Sequence, residues 1–264
     1  MAGRPLKVVV LAAGQGTRMK SDLPKALHPV LGRPMVDYVI EAARALEPER
    51  LIVVVGHRAG EVREHVGDGV TYALQQPQLG TGHALLCAAG ALGDQEADVV
   101  LLAVDVPLVR ADTLSGLLAH HRRAGAAATV LTARVPDPTG YGRIVRDQDG
   151  NIRRIVEEKD ASPALRAINE INTCIYCFQW PEILSPLSRL TALNRQGEFY
   201  LVDIVALLLA NGRPVETVEA ADPGEVEGVN DPAQLARAEA RMKTDAIRHP
   251  ERVREPWEGS RGDP

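Results

Sequence analysis

Apolar runs and amphipathic stretches alternate along the first half of the chain. Residues 8–11 (VVVL) form a β-branched run closed by Gly14, the pattern of a buried strand. From Pro34, the residues Met35, Val39, Ala42, Ala43 and Leu46 recur at helical spacing until Pro48 stops them. Residues 51–55 predict a second strand, 61–66 a polar helix, 70–74 a third strand, and 81–92 an Ala/Leu-rich helix capped by Thr81. The most apolar run, 99–104, predicts a central strand that ends at Asp105 and is kept from continuing by Pro107. The helix after it, with Asp112 as its expected cap, ends in His120-His121-Arg122-Arg123, which reads as a solvated face suited to the helix dipole. Strands that alternate with helices in this way predict an α/β fold: a doubly wound, mostly parallel sheet.

After the strand expected at 127–133 the pattern changes. A turn-rich segment, 136–142, enters a strand, Asp149-Gly150 reads as a hairpin turn, and 152–157 pairs back. This meander predicts a smaller β-rich lobe beside the main sheet. The expected division is a nucleotide-binding part over 1–133 and the lobe over 134–230, within one domain of residues 1–242. Asp231 and Pro232 have the order of a helix cap and first helical residue. From Lys243 the composition turns polar and charged, and 243–264 is expected to be a disordered tail.

Composition narrows the function. The 264 residues are 45% apolar and 25% charged, ordinary values for a globular protein. A net charge of −5, with no long basic stripe, argues against nucleic-acid binding. No apolar run approaches the length of a membrane span, and the N-terminus leads straight into the first strand, so neither a membrane anchor nor a signal peptide is expected. Three cysteines, an odd number, fit a reducing cytoplasm. Cys174 and Cys177 fall on one predicted strand, where residues three apart face opposite ways, so they read as separate structural thiols.

Candidate chemistry gathers at predicted strand ends. Gly14 and Gly16 open a loop after the first strand that can approach a ligand closely, and Arg18 and Lys25 beside it make anionic oxygens the natural guest. The loop lacks the third glycine of a dinucleotide fingerprint and the spacing of a phosphate loop. Asp105, at the carboxyl end of the central strand, is placed to hold Mg²⁺ against phosphates. Asn230, just before a helix, either supplies a neutral oxygen to that cation or is an ordinary turn residue. The charged run Glu157-Glu158-Lys159-Asp160 reads either as a solvated face or, with the small and polar strand-end residues Gly142 and Asn172 of the same lobe, as part of the donor and acceptor set that a polyhydroxylated sugar needs.

The string Leu11-Ala12-Ala13-Gly14-x-Gly16-Thr17-Arg18-Met19, followed by Leu23-Pro24-Lys25, resembles the signature of sugar-1-phosphate nucleotidyltransferases. With QLGTGHAL, DVPL, DPTGYGRI, IVEEKDA, EINT, QGEFYLVDI and EVEGVN, the resemblance extends over about residues 6–240. It is specific to the uridylyltransferase domain of the bacterial N-acetylglucosamine-1-phosphate uridylyltransferases. The resemblance implies a Rossmann-like nucleotidyltransferase fold and UDP-N-acetylglucosamine diphosphorylase activity. UTP and N-acetylglucosamine 1-phosphate would be the substrates, with pyrophosphate as the second product. It further implies that Leu11, Ala12, Ala13 and Gly14 lie against the nucleotide, and that Gln75, Gly80 and Thr81 read the base. Arg18 and Lys25 would hold the triphosphate, and Asp105 and Asn230 would bind Mg²⁺. Gly142, Glu157, Asn172 and Thr173 would hold the sugar. A homo-oligomer is possible. A nucleotidyltransferase for another sugar or nucleotide, or a non-catalytic regulatory relative, are the alternatives.

The chain departs from the pattern in three places. Val104 stands where a glycine usually precedes the metal aspartate, and is expected to add bulk beside the nucleotide–sugar site. Cys174 stands where a glycine usually follows Asn-Thr. No hexapeptide repeat of the β-helix that carries an acetyltransferase in most relatives is found, so this chain is not expected to transfer acetyl groups.

Overall fold

The computed structural model describes residues 3–248. The strands are β1 (Leu6–Ala12), β2 (Pro29–Val30), β3 (Arg33–Pro34), β4 (Arg50–Val55), β5 (Thr71–Leu74), β6 (Ala97–Ala103), β7 (Ala128–Arg134), β8 (Arg143–Arg146), β9 (Ile152–Val156), β10 (Glu170–Trp180) and β11 (Val215–Glu219). The helices are α1 (Met35–Arg44), α2 (Ala59–Val66), α3 (Thr81–Cys87), α4 (Ala89–Leu92), α5 (Ala111–Ala124), α6 (Pro163–Arg166), α7 (Leu184–Ser188), α8 (Asp203–Ala210) and α9 (Pro232–Arg248).

The main sheet runs β11-β7-β10-β6-β1-β4-β5, and every strand on this path except β10 points the same way. β1 and β6 are fully buried, as strands covered on both faces must be. Alternate residues enter two cores: Val9, Leu11, Ile52 and Leu101 on one face, Val8, Val10, Val53 and Leu102 on the other. The chain leaves β1 to one side toward β4 and β5, then returns to β6 on the other. This reversal opens a crevice beyond the carboxyl ends of β1 and β6, where ligands of open α/β sheets lie.

Within residues 134–230, expected as a lobe, only β8–β9 forms a hairpin that branches from the main sheet, which β8 joins through Ile171 opposite Arg143; β10 and β11 of that range are strands of the main sheet itself. β10 is irregular. Its pairing with β7 slips between Asn172 and Tyr176, and Cys174 there has φ 59°, a left-handed bulge at a non-glycine residue.

Four local expectations are corrected. Thr81 is the first residue of α3 rather than its cap, and its hydroxyl accepts the Leu201 amide at 3.1 Å. Asp112 is the second residue of α5. His121 is wholly buried, not solvated. Its Nδ1 meets Thr129 Oγ1 at 2.9 Å, and burial lowers its pKa to about 4. α9 continues through Arg248, so 243–248 extend a helix, and the rest of the expected tail lies outside the described residues. No described helix is long and apolar enough to cross a membrane.

Candidate active site

The loop after β1 carries the first half of the site. Gly16 takes φ 67°, and a Cβ built on it would lie 2.9 Å from Lys25 Cβ, so the tight approach of Lys25 requires glycine. Gly14 faces open space, with nothing within 4 Å of a Cβ built there. Leu11, Ala12 and Ala13 are buried at the end of β1. Arg18 lies in a single 3₁₀ turn, Thr17–Met19, and Lys25 opens a second, Lys25–Leu27.

Asp105 and Asn230, 125 residues apart in the chain, meet here. Val229 donates its amide to the Asp105 carbonyl at 2.7 Å, Gly228 donates to the Tyr141 hydroxyl at 3.1 Å, and Asn230 donates its own amide to Gln234 Oε1 at 2.7 Å. Asp231 caps α9 by accepting from the Gln234 amide at 2.8 Å. These bonds fix the loop before α9 against the end of β6. Lys25 Nζ then donates to both Asp105 Oδ2, at 2.5 Å, and Asn230 Oδ1, at 2.6 Å. Arg18 donates to the same Asn230 oxygen at 2.8 Å. All four residues singled out for phosphate and metal chemistry thus form one cluster beside the crevice.

Among the described residues no group of three or more His, Cys, Asp or Glu could hold a metal ion. The pair here offers one carboxylate and one amide oxygen around a common cationic position, now taken by the Lys25 ammonium. Two hard oxygen donors fit Mg²⁺, which keeps several waters and completes its shell with phosphate oxygens.

The expected base-reading segment is built and braced. Gln75 is buried and donates its amide to the Gly80 carbonyl at 2.9 Å. Gly80 has φ 105°, and a Cβ there would strike the Phe199 carbonyl at 2.7 Å. The segment 199–201 straps this loop through Phe199 N to Leu79 O and Gly82 N to Phe199 O, both 2.8 Å. A cleft of about 520 Å³, lined in part by His57, Arg58 and Gln78, lies beyond β4 and β5. Gly56 forms part of the wall between it and Ala13 and Gln75.

The expected sugar residues also converge. A Cβ on Gly142 would lie 3.3 Å from Glu157 Oε1 and 3.4 Å from Asn172 Cβ, and Asn172 donates its amide to the Gly142 carbonyl at 2.8 Å. Burial, with Asp203, Asp160 and Glu198 adding to it, pushes the Glu157 carboxyl up to about 7. Thr173 is different: it is buried, and its hydroxyl donates to the Leu131 carbonyl at 2.7 Å, which ties down the bulge.

The structure corrects the reading of Val104 and explains Cys174. Val104 is buried in the core with Val10, Leu102 and Val106, so its side chain does not crowd the site. Cys174 is a free thiol, like Cys177, and its left-handed φ is what a glycine supplies without strain. Burial pushes the Cys174 thiol well up, Asp105 and Glu157 add to this and Lys25 opposes it, so the thiol sits within electrostatic reach of both halves of the site. Sequence reasoning missed Tyr141, whose hydroxyl holds the Gly228 loop, and Asp203 and Glu198, the acids around Glu157. Tyr141 lies inside the quoted GYG string, and that position was the available signal.

Two solved structures share the fold. One, a UDP-glucose pyrophosphorylase complexed with UDP-glucose, superposes with a TM-score of 0.73 at 18% identity, covering 91% of this chain and 99% of that one. The other, a putative glucose-1-phosphate thymidylyltransferase from Bacillus anthracis, has a TM-score of 0.70 at 21% identity, with 89% and 94% covered. The architecture is therefore an α/β nucleotidyltransferase fold. The model of the MobA-like NTP transferase domain matches residues 8–171, and the chain belongs to that family. Among curated relatives, the bifunctional protein GlmU of Brevibacillus brevis is 54% identical over 238 residues, covering 90% of this chain and 52% of that protein. GlmU of Geobacter metallireducens is 49% identical over 235 residues, covering 88% and 49%. The chain spans about half the length of the curated relatives it matches.

Proposed function

We propose that this domain transfers the uridylyl group of UTP to N-acetylglucosamine 1-phosphate, giving UDP-N-acetylglucosamine and pyrophosphate, in the cytoplasm. The observation that carries the reading is the cluster of Lys25 and Arg18 on the Asp105–Asn230 pair, at the crevice between β1 and β6. It brings phosphate-binding cations and hard oxygen donors to one point, beside a polar pocket of Gly142, Glu157 and Asn172. The GlmU relatives support the choice of substrates.

A phosphate oxygen of the sugar phosphate attacks the α-phosphorus of UTP in line. The bond from that phosphorus to the bridging β-oxygen breaks, and its electron pair leaves with pyrophosphate. Arg18 and Lys25 neutralise the triphosphate as charge moves onto the leaving group, and the walls of the crevice hold the reactants aligned. Asp105 and Asn230 would hold Mg²⁺, which supplies charge neutralisation to the reacting phosphates when bound. Leu11, Ala12, Ala13 and Gly14 lie against the nucleotide, Gln75, Gly80 and Thr81 form the base edge, and Glu157 and Asn172 bond the sugar hydroxyls.

The test is pyrophosphate release with Mg²⁺ across a panel of nucleotides and sugar phosphates. UTP with N-acetylglucosamine 1-phosphate should turn over fastest. A tenfold preference for another nucleotide, about 1.4 kcal/mol, would end the uridylyl assignment.

A further inference from the structure

Asn172 is the one amide side chain among the expected sugar residues, and an amide has two unlike ends. Its Oδ1 lies 3.2 Å from the backbone nitrogen of Cys174 and 2.9 Å from the hydroxyl of Tyr176. A backbone N–H can only donate, so the atom facing it at 3.2 Å is the oxygen. The Tyr176 hydroxyl, meeting the same oxygen, must donate as well. Both acceptor positions of Oδ1 are then filled from within the chain. Both side-chain hydrogen bonds of Asn172 among the described residues go to Oδ1, which leaves the two hydrogens of Nδ2 to give.

The two donors are firmly held. Cys174 presents its N–H from the left-handed bulge at φ 59°. Tyr176 is fully buried and stacks on Phe178, with ring centroids 5.3 Å apart and planes 10° from parallel. Burial also holds the Tyr176 phenol well above its ordinary pKa, so the hydroxyl keeps its proton.

We infer that Tyr176 is a positioning residue which, with the bulge amide of Cys174, locks Asn172 as a pure donor toward an acceptor oxygen of the sugar. This rests on the sugar-phosphate reading above. It deepens that reading by fixing the direction of the bond: the substrate atom opposite Asn172 must carry a lone pair, and a group that can only donate there is rejected.

Tyr176→Phe removes one hydroxyl and keeps the ring. The KM for the sugar phosphate should rise about fivefold while the KM for UTP stays within twofold. Asn172→Asp keeps both incoming bonds but replaces the donor by an oxygen, and should raise the sugar-phosphate KM at least tenfold. A crystal structure of Tyr176→Phe without substrate should show the Asn172 amide rotated or in two orientations. An unchanged single orientation, a sugar-phosphate KM within twofold of the wild type, or an equal rise in both KM values would each overturn the inference. Should the unmodified protein fail to use N-acetylglucosamine 1-phosphate, the functional reading falls, while the crystallographic comparison still decides whether Tyr176 positions Asn172.

Discussion

Lys25 Nζ sits 2.5 Å from Asp105 Oδ2, with both side chains mostly shielded from solvent, and its second bond goes to Asn230 at 2.6 Å. The ammonium occupies the point where a divalent ion would have to bind both oxygens, so on the proposed function metal binding would require Lys25 to move, as toward a phosphate. Lys25→Met should therefore raise the affinity of the nucleotide-free protein for Mn²⁺ by at least about threefold, read by electron paramagnetic resonance, even as kcat falls. Asp105→Asn should weaken Mn²⁺ and lower kcat about a hundredfold, roughly 2.7 kcal/mol, with an unchanged circular dichroism spectrum. Equal Mn²⁺ affinity in the Lys25→Met and unmodified proteins would show that the ion does not compete for these oxygens.

Cys174 offers a stability test with a reversed order of substituents. In a regular strand alanine is better than glycine by about 0.5–1 kcal/mol. At φ 59° the left-handed backbone costs a residue with a Cβ about 1–2 kcal/mol. Cys174→Gly should therefore be more stable than Cys174→Ala in urea unfolding, by up to about 1.5 kcal/mol. The usual order, with alanine ahead, would mean that the bulge carries no such strain.

These two sites differ in how far they could be read from the chain. Arg18, Lys25 and Asp105 were legible because strand ends and loop chemistry mark them, and the α/β alternation places strand ends on one edge of the sheet; Asn230, which the residues alone left open as a turn residue, was named only by the resemblance. Tyr176 was not. On a regular strand, positions four apart are about 13 Å from each other, too far for a hydroxyl to meet an amide oxygen in the usual strand geometry. The bulge between them shortens that path, and periodicity of 2 carries no trace of it. His121 was legible and misread. Leu114, Leu117, Leu118 and His121 have the spacing i, i+3, i+4, i+7, so the histidine belongs to the buried stripe of α5 despite its charged neighbours. The reversed direction of β10 left no mark either, since a strand buried on both faces looks alike in either direction.

Val104 should behave as core. Val104→Ala removes two buried methyl groups and should cost about 2 kcal/mol in urea unfolding. The KM values for both substrates should stay within twofold of the unmodified protein. A selective change in sugar-phosphate KM, without loss of stability, would return this residue to the site.

Glu157 links pH to both stability and sugar binding. Its folded pKa, about 7, is raised above the ordinary 4.5 by burial and by Asp203, Asp160 and Glu198. Between those values the folded state holds a proton that the unfolded state has released. The stability conferred by that proton is complete below about 4.5 and is lost as the pH rises through about 7. Sugar binding should run the other way, because an ionised carboxylate accepts stronger bonds from hydroxyl groups than a neutral acid does. The KM for the sugar phosphate should therefore fall as the pH rises through 7, while Tm falls over the same interval. Glu157→Gln removes the titration and keeps the shape, so it should flatten this component of both profiles. An inflection left in the KM profile of the variant belongs to the phosphate of the substrate, and one left in its Tm profile to other shifted groups such as the buried His121. Identical pH profiles of Tm for the variant and the unmodified protein would mean that Glu157 keeps its ordinary pKa in the folded state and that burial and its acidic neighbours do not hold its proton.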